Sequence, residues 1–121
     1  MALRITLAAV ALAGAGVALA AADMLPIRRG IYAPVDMPCA QASQADIVVY
    51  HGDRGSIGSP QATCTIRQLD RSGNEFTIAD ECRDDRSGDL IEGEPQRLMV
   101  RSDTAFRIYE TEYRWCRAAG G

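Results

Sequence analysis

The chain has 121 residues, with 13 Arg, no Lys, 16 Asp plus Glu and one His, for a formal charge of −3. That is one domain's worth of polypeptide, and its mild acidic excess argues against general binding to nucleic-acid phosphates. With no lysine, Schiff-base and Ser–Lys chemistry are excluded, because both need an amine of lowered pKa.

Residues 1–22 read as an export signal. One positive charge, Arg4, precedes an uncharged Ala/Leu/Val/Gly run from Ile5 to Ala22. The small-residue triplets Ala18-Leu19-Ala20 and Ala20-Ala21-Ala22 offer cleavage sites. Cleavage after Ala22 leaves 23–121, with 12 Arg against 16 acids and a net charge of −4. The rival reading is an uncleaved anchor, but the run is short for a span and dominated by weakly partitioning Ala and Gly. No Cys follows it closely, which disfavours a lipoprotein. The expected location is periplasmic or secreted, with no membrane span once the leader is removed.

From Asp23 to Pro38, three prolines (Pro26, Pro34, Pro38) forbid a regular helix. An extended lead-in with a short strand at 30–32 is expected, then one helical turn over 39–45. Residues 46–50 are β-branched and aromatic, hence a strand. His51 to Pro60, with three glycines and a proline, is a loop. Residues 62–69 alternate, with Ala62, Cys64 and Ile66 opposite Thr63, Thr65 and Arg67. Residues 71–74 turn the chain, and 75–82 alternate again. The polar stretch 83–93 is a loop. Strands at 96–102, 105–109 and 111–116 follow, then a frayed tail. Period-2 patterning with no helical stripe predicts an all-β fold: an antiparallel meander of 6–8 short strands closed into a small barrel or sandwich.

An even cysteine count in a short exported chain implies two disulfides. A turn centred on Gly73 places Cys64 opposite Cys82, Ile66 opposite Asp80 and Gln68 opposite Ile78. Directly opposed residues lie within disulfide reach, so Cys64 pairs with Cys82 and Cys39 is left for Cys116. The gaps between cysteines are too long for a zinc site or a redox dithiol. No cofactor and no metal are expected.

Candidate chemistry is sparse. His51 stands near Asp53, Ser56 and Ser59; as a general base it would serve a small hydrolase or nuclease, and otherwise it is a solvated loop residue. Asp84, Asp85, Asp89, Glu92 and Glu94 form an acidic loop that departs from the EF-hand pattern. It is read as solvated, with a weak calcium site as the alternative. Arg97, Arg101, Arg107, Arg114 and Arg117 fall on the last three strands. Arg97 and Arg101 share a face with Met99, and Arg107 shares one with Tyr109. Together they make a basic, partly aromatic face for an acidic protein, an anionic glycan or a headgroup phosphate. The alternative is an outward charged face that protects edge strands. Tyr113 and Trp115 are read as core.

Arg29-Gly30-Ile31-Tyr32, Pro38-Cys39, Cys64, Cys82 and the closing Tyr113-Arg114-Trp115-Cys116 resemble a group of small exported proteobacterial proteins with four cysteines and no assigned activity. That resemblance brings no catalytic residues. The chain also resembles periplasmic inhibitors of C-type lysozyme, small exported β-barrels whose Ser-Gly-x-x-Tyr segment enters the lysozyme cleft. The matching stretch is Ser72-Gly73-Asn74-Glu75-Phe76, with Phe for Tyr and Glu where that family favours a basic residue. Under this resemblance Ser72 and Gly73 are binding residues. The expected function is a non-enzymatic, monomeric binding or inhibitor module of the cell envelope, with an envelope or host protein or an anionic glycan as partner. A hydrolase built on His51, or an envelope protein without a discrete site, are the alternatives.

Overall fold

A computed structural model describes residues 23–120; the expected leader and its cleavage sites lie outside them. Among these residues eight strands form: β1 (Gly30–Pro34), β2 (Val48–Tyr50), β3 (Ala62–Ser72), β4 (Glu75–Asp84), β5 (Leu90–Ile91), β6 (Gln96–Ser102), β7 (Ala105–Ile108) and β8 (Thr111–Arg117). They make one antiparallel sheet in the order β2-β1-β8-β7-β6-β4-β3, with β5 added to β4. The sheet curls into a half-barrel. Its open side is bridged by the loop between β2 and β3. Val49 and Gly58 exchange backbone hydrogen bonds, and Ser56 N–H and Ile66 N–H link the same loop to β3 through Cys64 and Arg54 carbonyls. That bridging satisfies edge groups that would otherwise face solvent.

The inward residues are those the alternation selects: Ile66 on β3, Phe76 and Ile78 on β4, Leu98 on β6, Phe106 and Ile108 on β7. Tyr32 and Tyr50 join them, fully buried. Each side chain of this size contributes ~1.5–3 kcal/mol on burial. Tyr32, Phe106 and Tyr113 form an aromatic cluster: Phe106 stacks on Tyr113 with centroids 5.5 Å apart and meets Tyr32 at a tilt, 4.6 Å away. The lead-in does more than its prolines suggest: Leu25 and Ile27 are buried in the core. Tyr113 and Trp115 are only partly buried and pack against the core's edge. The Arg28 guanidinium lies 3.9 Å from the centre of the Trp115 ring, and the indole N–H donates to the Arg29 carbonyl.

Both disulfides form as expected, Cys39–Cys116 and Cys64–Cys82. The hairpin register behind the second differs in detail. The turn is the two residues Gly73 and Asn74, with Ser72 opposite Glu75, so Gln68 faces Ala79 rather than Ile78. A bulge at Arg67 absorbs one residue, and beyond it Ile66 faces Asp80 and Cys64 faces Cys82. Without that extra residue the tighter turn would set Cys64 out of register with Cys82. Gly73 takes φ 64°, the positive φ that a type II′ hairpin turn needs at its first position.

Other boundaries moved for local reasons. The helical turn shrinks to a 3₁₀ turn at Cys39–Gln41. Asp46 leaves the expected strand because its carboxylate accepts from Ser43 N–H and Oγ–H, which holds a turn. Tyr109 belongs to the β7–β8 turn. Within the polar stretch 83–93, Leu90 and Ile91 pair with Arg83 and Cys82 as β5.

Candidate functional site

On β6, Leu98 points into the core, which sends Arg97, Met99 and Arg101 to the outer face. Met99 lies opposite Arg107 on β7, and Arg107 opposite Glu112 on β8. The arginines separate into two kinds. Arg114 donates to the Pro34 and Met37 carbonyls at 2.9 and 2.7 Å, clamping the chain that leaves β1. Arg101 holds Glu112 through two contacts of 3.3 and 3.0 Å. That bond keeps the Glu112 carboxyl below its ordinary range. Both are thus engaged within the fold.

Arg97 and Arg107 differ. Among the described residues neither makes an ion pair within 4.0 Å. Both are exposed, and with Glu75, Met99 and Tyr109 they line a shallow cavity of about 160 Å³. Arg97 faces Thr77 across β4, and Glu75 sits two residues back along that strand. Tyr109 is the first of the two residues between β7 and β8. It is 68% exposed and takes φ 55°. A left-handed backbone costs a non-glycine residue ~1–2 kcal/mol, so the turn holds this aromatic outward against its preference.

Ser72 and Gly73 stay apart from this face, at the exposed tip of the β3–β4 hairpin. Phe76, the aromatic of that segment, is buried in the core with the Arg71 guanidinium 4.8 Å from its ring centre. Glu75 alone joins the segment to the arginine cavity. Sequence reading missed Glu75, although period 2 across paired strands would place it beside Met99 once the register is known. Arg117, exposed at the end of β8, lies opposite Ile31.

His51 is exposed and lines a cavity of about 220 Å³ with Ser56, Ser59, Thr63 and Thr65. Among the described residues no carboxylate lines that cavity. Ser56 Oγ is buried with no hydrogen-bond partner among the described residues, so His51 does not engage it. Asp53 is held instead beside Arg29, at 3.4 Å. A nucleophile, a base and an orienting group are not within hydrogen-bond reach here.

In the acidic loop, Asp84 accepts from Arg86 and Ser87 N–H, which lowers its pKa, and Asp85 accepts from Thr63 Oγ1. These carboxylates shape the turn into β5. Cys64, Asp80 and Cys82 bring their ligand atoms within 4.8 Å of one another, but the two sulfurs are joined and offer no thiolate.

Comparison with protein-family models, with curated proteins and with solved structures finds no match to the chain. Among the described residues no helix is long and apolar enough to cross a membrane. The two disulfides are compatible with folding in an oxidising compartment.

Proposed function

We propose that this is an exported, monomeric, non-enzymatic binding module whose Arg97–Met99–Arg107–Tyr109 face takes an anionic group of its partner. The observation that carries the reading is two exposed arginines, free of ion pairs among the described residues, beside an aromatic held outward by a left-handed turn. Guanidinium groups bind carboxylate, sulfate or phosphate with two parallel N–H bonds, and an adjacent aromatic adds contact area at low entropy cost. The partner is an envelope or host protein with an acidic patch, or an anionic glycan; lysozyme inhibition is one concrete version. Export follows from the leader at 1–22. Asp23 pairs with Arg29 at 2.7 Å and accepts the Asp53 N–H, so a cut after residue 20 or 22 leaves this contact intact.

The test is titration of the ¹⁵N-labelled oxidised protein with a sulfated oligosaccharide and its unsulfated parent. Shifts at Arg97, Met99, Arg107 and Tyr109 with the sulfated form alone, lost in Arg97→Glu/Arg107→Glu, support the reading. Equal shifts with both sugars, or an unchanged response in the double variant, overturn it.

A further inference from the structure

Among the described residues, the four exposed large apolar side chains, Val35, Leu90, Ile91 and Tyr109, all follow or flank strand ends on one side of the sheet. Val35 follows the C-terminal end of β1, and β5 flanks the C-terminal end of β4. Tyr109 lies in the turn after the C-terminal end of β7. In an antiparallel sheet of this order, these chain ends and the N-terminal ends of β2, β3, β6 and β8 share one rim. At that rim a cavity of about 380 Å³ opens into the barrel. Its wall is mainly apolar: Val48, Ile57, Ile91, Ile108, Tyr113 and the Cys64–Cys82 disulfide. Gln96 also faces it, but its amide N–H groups are already donated to the Ile57 carbonyl and the Asp80 carboxylate. The interior therefore asks for hydrocarbon, and a barrel mouth of this size is a common place for a small ligand.

Tyr109 lines both this cavity and the one that holds Arg97 and Arg107. An apolar pocket and a pair of guanidinium groups without an ion pair among the described residues thus meet across one side chain. We propose that the rim binds a monomeric single-chain amphiphile with an anionic headgroup. The alkyl chain enters the half-barrel mouth, the headgroup takes N–H bonds from Arg97 and Arg107, and Tyr109 lies against the junction. The headgroup half rests on the reading above; the apolar half is new. Two guanidinium groups against the single carboxylate of Glu75 in that cavity leave a net positive charge, which selects an anion over a cation. The net charge of −4 that remains once the leader is removed works against adsorption to an anionic bilayer, which needs basic clusters, and so favours a single molecule in the cavity.

The test is calorimetric titration of the disulfide-bonded protein with decyl phosphate, decyltrimethylammonium, decanol and inorganic phosphate, all below micelle formation. Decyl phosphate is expected to bind about tenfold or more tightly than each of the others, the factor that a charge-assisted hydrogen bond supplies. Ile91→Glu, at an exposed site, is expected to abolish decyl phosphate binding while the sulfated-oligosaccharide shifts persist. Ser59→Trp, which fills the mouth from another exposed position, is expected to do the same. Arg97→Glu/Arg107→Glu is expected to remove the preference for the anion and keep decanol binding. Decyl phosphate binding that survives both Ile91→Glu and Ser59→Trp overturns the cavity assignment and leaves the anion face standing. A preference for decyl phosphate over decanol that survives the arginine double variant overturns the headgroup assignment. Binding only to anionic vesicles, with none to the monomeric amphiphile, overturns the proposal.

Discussion

Tyr109 and Gly30 illustrate opposite uses of a positive φ. Tyr109 could be glycine for backbone reasons; at φ 55°, Tyr109→Gly is expected to raise stability by about 0.5–1 kcal/mol, read as a higher urea midpoint, and to weaken decyl phosphate binding. A gain in stability with binding retained would remove Tyr109 from the site. Gly30 has no such freedom. At φ 143°, a Cβ would lie on the Trp115 indole nitrogen and 2.5 Å from the Arg117 carbonyl oxygen, where backbone cannot give. Gly30→Ala is expected to cost about 2–4 kcal/mol and to change Trp115 fluorescence. Asp23 carries the acid sensitivity. The Arg29 side chain, then the Asp53 N–H, hold its carboxyl at about 2. A folded-state pKa below the unfolded one stabilises above the unfolded value, and that share disappears as pH falls toward 2. Asp23→Asn is therefore expected to be less stable than the parent at pH 6, with the gap closing from about pH 5 downward in pH-dependent urea titrations. At the alkaline end, burial foremost pushes the Tyr32 hydroxyl up to about 12, so its share is present below about pH 10 and is lost as pH rises toward 12.

The elements depend unequally on the two crosslinks. Cys64–Cys82 joins neighbouring strands 18 residues apart, whereas Cys39–Cys116 ties the segment after β1 to the last strand across 77. On the chain-entropy account, the shorter loop contributes about 3 kcal/mol and the longer about 4.5 kcal/mol. Cys39→Ser/Cys116→Ser is expected to lower the urea midpoint more than Cys64→Ser/Cys82→Ser does. The reverse order would mean that the β3–β4 hairpin, and not closure of the lead-in, limits the fold. Strands β3, β4, β6, β7 and β8 are visible in the sequence because each alternates over several residues. β5 is not: two residues inside an acidic stretch carry no period. The bulge at Arg67 is equally silent, because a charged residue in a half-exposed strand looks the same bulged or paired. The Cys64–Cys82 pairing follows from sequence only because two one-residue displacements, in the turn and in the bulge, cancel.

For the whole molecule, the useful division is between the cavity holding His51 and the rim holding Tyr109. His51→Ala is expected to leave the unfolding free energy within about 0.5 kcal/mol of the parent, and amphiphile binding unchanged, since the ring is exposed and lines only the neighbouring cavity, which adjoins the rim cavity through Gly58, Ser59, Ala62 and Cys64. A loss of decyl phosphate binding in that variant would show that the two cavities act together. The rim itself is an effect of topology. Residues 35, 90–91 and 109 are far apart in the chain, and each is an unremarkable surface residue when read alone. Only the antiparallel order brings their strand ends to one side.

The all-β class, the two disulfides, the positions of the longer strands and the arginine-bearing face on β6 and β7 all follow from the chain itself. Period-2 alternation and an even cysteine count are local, covalent facts that need no partner strand to be seen. Which arginines remain free is a different matter. Arg101 and Arg114 carry the same guanidinium as Arg97 and Arg107, and the engagement of their N–H groups by Glu112 and by the Pro34 and Met37 carbonyls exists only after β8 has docked between β1 and β7. The apolar mouth was decided in the same way, because a cavity is a property of how strands curl around one another and no single strand contains it.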